Sequence, residues 1–182
     1  MPELPRIKKV SELFRSRLFT VQALDLEFSN GQQAVYERIK ANAPRAVIVA
    51  AVNDDGEILL VREFAAGTER YELQLPKGIV EPGEDSLAAA NRELAEETGY
   101  AARSLQKLST LRVSPGYFQH ETDLVLARDL YAKTLDSGDE PEPVELVCHS
   151  LARLDELLAR DDFSESRSIA GVLLAKRLLD GE

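Results

Sequence analysis

The chain has 182 residues, 44% of them hydrophobic, enough for one domain with an ordinary core. Its 22 lysines and arginines stand against 32 aspartates and glutamates, a formal net charge of −10. That balance argues against binding nucleic acid over a broad surface, which draws on clustered basic residues. A small anionic substrate remains compatible with it, given a metal or a few arginines to supply local positive charge.

Cys148 is the only cysteine, so no intrachain disulfide can form, as suits a reducing compartment. Lying in "VELVCHSL", it reads as a buried small hydrophobe rather than a nucleophile. No apolar run approaches the roughly 18–20 residues that span a bilayer. The start, "MPELPRIKKVSELF", lacks the apolar block of a signal peptide. No membrane association and a cytoplasmic location are therefore expected.

In chain order, "FTVQALDLEF" and "QQAVYERIK" alternate apolar and polar residues on either side of Asn30-Gly31. This predicts a hairpin with a tight type I′ turn. "RAVIVAAV" is a short continuous apolar run, the pattern of a strand buried on both faces. "NDDGE" turns the chain, "ILLVREF" resumes as a strand, and "YELQLP" is a short extended piece. Pro82-Gly83 marks a loop, Asp85 or Ser86 can cap a helix beginning near Leu87, and Gly99 can end it. "LQKLSTLRVS" and "TDLVLARDLY" read as strands separated by "PGYFQHE". "SGDEPEP" is an exposed loop and "VELVCHSL" a strand. Two helices close the chain, "LARLDELLA" and, capped by Ser164, "SRSIAGVLLAKRLLDG". Helices and strands mix without strict βαβ alternation, so the expected class is α/β (α+β), a mixed sheet sandwiched between helices.

The stretch "GIVEPGEDSLAAANRELAEETGY", residues 78–100, holds six carboxylates, one arginine and no lysine. At about 100° per residue, Leu87, Ala90, Leu94 and Thr98 fall on a stripe that can pack against sheet. Glu93, Glu96 and Glu97 fall in the adjoining sector, with Arg92 able to reach only one or two of them. Like charges at this spacing cost roughly 0.2–0.5 kcal/mol per pair. Near the helix C-terminus the dipole adds about 0.3–1 kcal/mol against negative charge. A solvated acidic face is the ordinary reading, yet such faces interleave lysines at i+4 and none is present. The helix is also launched from a Gly- and Pro-bearing loop that can bring backbone carbonyls to the same place. Carboxylates with a carbonyl oxygen suit hard divalent cations, Mg²⁺ or Mn²⁺, commonly shared with substrate phosphates.

The spacing is more specific than the composition. Gly78, Glu84, Arg92, Glu93, Leu94, Glu96, Glu97 and Gly99 match the Nudix box, Gx5Ex7REUXEEXGU, with Tyr100 departing from the last aliphatic position. The chain thus resembles the Nudix hydrolases, and the box speaks to reaction class rather than substrate. Beyond it, "RSRLFTVQALDLEFSNG", "YERIK", "YELQLPKG", "SPGYF" and "GDEPEP" resemble the ADP-sugar pyrophosphatase branch, in particular its bacterial ADP compounds hydrolases. Pro115, sixteen residues after Gly99, stands where ADP-ribose pyrophosphatases place a proline.

The resemblance implies a Nudix fold in residues 45–182 and an N-terminal hairpin extension, residues 1–44, that serves a homodimer. It implies hydrolysis of the diphosphate in ADP-ribose, NADH or diadenosine polyphosphates to AMP and the other phosphorylated half. Glu93, Glu97 and Glu96 would hold Mg²⁺ (or Mn²⁺), aided by the carbonyl of Lys77 or Gly78, with Glu84 and Arg92 in support. Glu140, Glu142 and Glu121 are candidates for the general base. Arg38 matches an arginine that meets substrate from the partner subunit. Where the branch carries a second arginine this chain has Ala65, and Gln74 replaces the glutamate common in "ELPAG"; phosphate contacts then shift to Arg62 or Arg70. The histidines, His120 and His149, are too few for a zinc site. Hydrolysis of another nucleoside diphosphate derivative or an RNA 5′ end, and a non-catalytic nucleotide-sensing module, stay open.

Overall fold

A computed structural model describes residues 3–133, 142 and 144–181. It divides into two compact units, Met1–Pro44 with Arg112–Glu121, and Arg45–Leu111 with Thr122–Glu182. Two long strands, β3 (Gln33–Ala51) and β8 (Phe118–Ala132), contribute residues to both.

In the first unit β1 (Arg6–Arg15) pairs antiparallel with β2 (Phe19–Glu27), and β2 with the first part of β3. The hairpin between β2 and β3 forms, but not around a type I′ turn. Such a turn needs positive φ at both central residues, and only Gly31, at 81°, has it. A wider loop results, closed by Phe28 N–H to the Gln32 carbonyl at 2.9 Å, with the Asn30 side chain accepting from Gln32 N–H at 3.0 Å. β1 has no counterpart in the sequence reading. Its residues are almost all exposed, so no burial alternation marks it, and bulges after Ile7 and Glu12 break its register.

The second unit is built on strands whose two faces are both buried. Along the rest of β3 and at Val52 just after it, Ile48, Ala50 and Val52 join one apolar cluster while Val47, Val49 and Ala51 join another. This is the two-faced burial that the continuous run "RAVIVAAV" implies. β4 (Glu57–Ala65) divides likewise, Ile58 and Leu60 against Leu59. β4 lies between β5 (Arg70–Gln74) and β9 (Glu145–Ser150), and β7 (Tyr100–Leu111) pairs with β8. The short β6 (Lys77–Ile79) pairs with residues 46–48 of β3.

One cluster is covered by α1 (Ser86–Thr98), the other by α2 (Leu154–Leu158) and α3 (Ser166–Leu179). α1 buries Ala89, Ala90, Leu94, Ala95 and Thr98. Burying one leucine is worth about 1.5–3 kcal/mol, several times a like-charge pair, so packing decides that the acidic segment is helical. Asp85, not Ser86, caps it by accepting from Leu87 N–H at 2.9 Å, and Gly99 ends it at φ 74°. At α3 the cap is Glu165 rather than Ser164: its carboxylate accepts from Ser168 N–H at 2.7 Å, while the Ser164 hydroxyl bonds Glu72. Cys148 is exposed rather than buried, because β9 is the outer strand of its sheet and leaves side chains such as this one uncovered. No helix among the described residues is long and apolar enough to cross a membrane.

Candidate active site

In the second unit, α1 is held at both ends. Its first residue, Ser86, donates its hydroxyl to Asp123 at 2.7 Å. Asp123 is 1% exposed on β8 and also receives Arg45 at 2.6 Å, Lys107 at 2.7 Å and Thr110 at 2.8 Å. Burial pushes the Asp123 carboxyl up, but these donors outweigh it and hold it well below the usual carboxylate range. At the other end, Glu97 accepts the backbone N–H of Lys77 at 3.2 Å, joining α1 to β6.

Between these anchors the carboxylates gather as the sequence suggests, with one difference. Arg92 does not stop at one or two of them. Its guanidinium grips Glu84 with two bonds of 3.0 and 3.1 Å, reaches Glu93 at 2.8 Å and Glu96 at 3.0 Å, and donates to the Ile79 carbonyl at 2.9 Å. The planar fork with its five donors makes this possible where a lysine would serve one direction. Glu84 is thereby held below its usual range, first by Arg92 and then by the Glu81 backbone.

Gly78 and Glu93 occupy one another's space. A Cβ on Gly78 would stand 1.9 Å from the Glu93 carboxyl carbon, so the carboxylate lies directly on the β6 backbone. Glu97, a turn later, touches the same strand at Lys77. Burial pushes its carboxyl up to about 8, against the opposing effects of the Lys77 charge and amide; Glu93 and Glu63 add to the rise. Among the described residues no three His, Cys, Asp or Glu side chains already stand at metal-ligating separation. Even so, the donor set fits a hard divalent cation. Glu93, Glu96 and Glu97 share one helix sector, two of them touch a backbone strand, and Glu97 is a half-buried carboxyl whose desolvation the Lys77 charge does not offset.

Register places the arginines. Residues directly opposite in an antiparallel pair share a face, and neighbours alternate. Glu63, Glu72 and Gln74 therefore share one face of β4–β5 with Leu59, toward α1, and Arg70, opposite Ala65, joins them. Arg62 lies on the other face, bonded to Asp162 at 2.6 Å and Glu145 at 3.0 Å. Arg70 bonds Glu72 at 2.7 Å and the Asp161 carbonyl at 2.8 Å. Glu142 accepts the Tyr71 hydroxyl at 2.5 Å. Glu140 lies outside the described residues.

In the first unit, Arg38, Pro115 and Glu121 come together. They line a groove of about 390 Å³ with Tyr36, Phe118 and His120. Arg38 is oriented by Gln22 at 2.9 Å, Glu121 pairs with Arg112, and the Phe118 and His120 rings stack 5.5 Å apart. The sequence reading missed the aromatic stack, the Asp123 hub and the Lys77 side chain. Asp123 had one legible signal, a charge inside the apolar run "TDLVL"; its donors come from distant segments. Tyr100, the departure from the box, is 37% exposed, so that position does not require an aliphatic residue.

A carboxylate helix laid against a glycine strand on a two-faced sheet, with mixed α/β layers, defines a Nudix domain. The NUDIX domain model matches residues 42–170, the NudE-type Nudix hydrolase N-terminal domain matches residues 5–38, and the chain belongs to the Nudix hydrolases. Over 98% of its length it is 45% identical to the "ADP compounds hydrolase NudE" of Escherichia coli (strain K12), covering 95% of that protein. It is 33% identical to the "ADP-ribose pyrophosphatase" of Bacillus subtilis (strain 168), over 80% of each chain. A solved "Crystal structure of ADP compounds hydrolase" superposes with a TM-score of 0.91 at 44% identity, over 100% of this chain and 97% of that one. Nudix hydrolases are generally dependent on divalent metal.

Proposed function

We propose that this chain is a pyrophosphohydrolase that cleaves the diphosphate of ADP-containing compounds, such as ADP-ribose, NADH and diadenosine polyphosphates, releasing AMP and the other phosphorylated half. The observation that carries the reading is the carboxylate sector of α1 pressed on β6, in a chain similar end to end to an ADP compounds hydrolase.

Glu93, Glu96 and Glu97, with the backbone carbonyl of Lys77 or Gly78, would hold Mg²⁺ or Mn²⁺. When bound, such ions neutralise a diphosphate, acidify a coordinated water and stabilise the leaving phosphate. Gly78 lets Glu93 approach the strand, while Glu84 fixes Arg92, which aligns Glu93 and Glu96. The general base is assigned to one of Glu142, Glu121 and Glu140. Arg38 and Pro115, in a groove with aromatic walls, are assigned to the substrate, and so is Arg70 on the α1 side of β4–β5. Arg62, committed to Asp162 and Glu145, is assigned to holding β4 to its neighbours.

The extension, residues 1–44, is assigned to a homodimer. Ile7 and Val10 on one face of the extension, and Phe14 and Val35 on the other, are among its exposed large hydrophobics, which a second copy can cover. The net charge of −10 and the small-molecule site favour neither nucleic acid nor membrane as partner, and the expected location is the cytoplasm.

The test is a product-resolved assay. Protein with Mg²⁺ or Mn²⁺ is given ADP-ribose, NADH and diadenosine triphosphate, and AMP is separated by chromatography. The reading fails if all three stay intact, or if Glu97→Gln turns over as fast as wild type.

A further inference from the structure

Lys77 and Gln74 meet on one oxygen. The Lys77 ammonium and the Gln74 amide both donate to Oε2 of Glu63 at 2.7 Å. Gln74 is 5% exposed and has a fixed role there: its amide occupies that oxygen from the floor of the sheet. Lys77 is different. Its backbone N–H already holds Glu97, and its side chain, 22% exposed, stands on the α1 face of the sheet with the carboxylate sector. Its charge is the foremost influence opposing the desolvation of Glu97.

Gln74 is neutral and Lys77 cationic, and both donate to the same oxygen of Glu63. Had a glutamate stood at position 74, two carboxylates would face each other and Lys77 would be bound between them. With glutamine there, Glu63 keeps one hydrogen bond without Lys77, so the ammonium can leave at lower cost. A lysine on its four-carbon stem is a mobile point charge suited to phosphate.

We propose that Lys77 is a substrate-contacting residue that moves from Glu63 to the phosphate chain, and that with Gln74 it biases this enzyme toward substrates carrying more phosphate charge than ADP-ribose. This rests on the function proposed above. The ligand chemistry is a linear chain of three or more phosphates bearing a nucleoside.

The test compares kcat/KM for diadenosine triphosphate and for ADP-ribose in wild type, Lys77→Ala, Lys77→Arg and Gln74→Glu. In parallel, calorimetry with Ca²⁺ measures inorganic tripolyphosphate and pyrophosphate binding, a reading that needs no turnover. Lys77→Ala is expected to lose about tenfold more on the triphosphate than on ADP-ribose, the scale of one charge-assisted hydrogen bond. Tripolyphosphate binding should weaken more than pyrophosphate binding, and Lys77→Arg should restore much of both. Gln74→Glu should shift the ratio the same way as Lys77→Ala. Equal losses on both substrates, or unchanged tripolyphosphate binding in Lys77→Ala, overturn the inference. If wild type cleaves neither substrate, the proposed function fails instead, and tripolyphosphate binding still judges Lys77.

Discussion

Replacing Gly78 by alanine separates the site from the fold. The Gly78 backbone is not left-handed, so alanine is admitted there without torsional strain. The new Cβ, however, would stand 1.9 Å from the Glu93 carboxyl carbon, where ordinary contact begins at 3.4 Å. Glu93 must therefore retreat by about 1.5 Å, the difference of those two distances. The atoms in the way are the far end of a side chain, so folding loses little. Arg92 gives up its 2.8 Å bond to Glu93 but keeps Glu84 and Glu96. That is about 1 kcal/mol for a partly exposed hydrogen bond. A reacting group displaced by about 1 Å costs on the order of 10²-fold in rate, so turnover should fall by about that factor or more. Urea unfolding and ADP-ribose turnover with Mg²⁺, measured on the same preparation, read the two effects. Wild-type turnover in Gly78→Ala would refute the assignment of Glu93. A stability loss above about 4 kcal/mol, the range of disrupted cores, would refute the claim that only the side chain yields.

Asp123→Asn should lower stability at pH 7 by about 1–3 kcal/mol, since an amide has one accepting oxygen where the buried carboxylate serves Ser86, Thr110 and two half-exposed cations, and part of that set loses its acceptor. The Asp123 carboxyl is depressed in the folded state, so its contribution is complete above the unfolded value near 3.9 and is lost as pH falls toward the folded one. Urea melts at pH 7, 5 and 3 should show the gap between wild type and variant closing only at the acid end. Mg²⁺ at about 100 times its Kd should add about 2.7 kcal/mol, a Tm rise of roughly 5–10 °C. That rise should vanish in Glu93→Gln and Glu97→Gln, as differential scanning fluorimetry can show. Arg38→Ala should raise KM for ADP-ribose about tenfold with kcat nearly kept, the pattern of lost uniform binding. Val35→Asp should halve the particle mass by light scattering if the extension joins two copies.

The site was legible where its chemistry is local. Glu93, Glu96 and Glu97 share a sector because a helix repeats every 3.6 residues, and Asp85 and Gly99 bound that helix by their own backbone habits. The reach of Arg92 is not legible in the sequence, because the wheel shows directions but not the span of a guanidinium, nor the loop that returns Glu84 and Ile79 to it. β1 is not legible because an exposed strand carries no burial period, and the exposure of Cys148 is not legible because a sequence does not say which strand is outermost.

The reaction class, the carboxylate helix, the two-faced strands and the glycine that starts the box are all legible in the chain's own order, since each depends on residues close together along it. Tertiary structure alone decided that Glu93 lies on the Gly78 backbone, that Arg62 and Arg70 face opposite sides of one sheet, and that Lys77 and Gln74 meet on Glu63. It also decided that Asp123 gathers Arg45, Ser86, Lys107 and Thr110. Those partners lie far apart along the chain, and only strand register and helix packing bring their charges within hydrogen-bond reach.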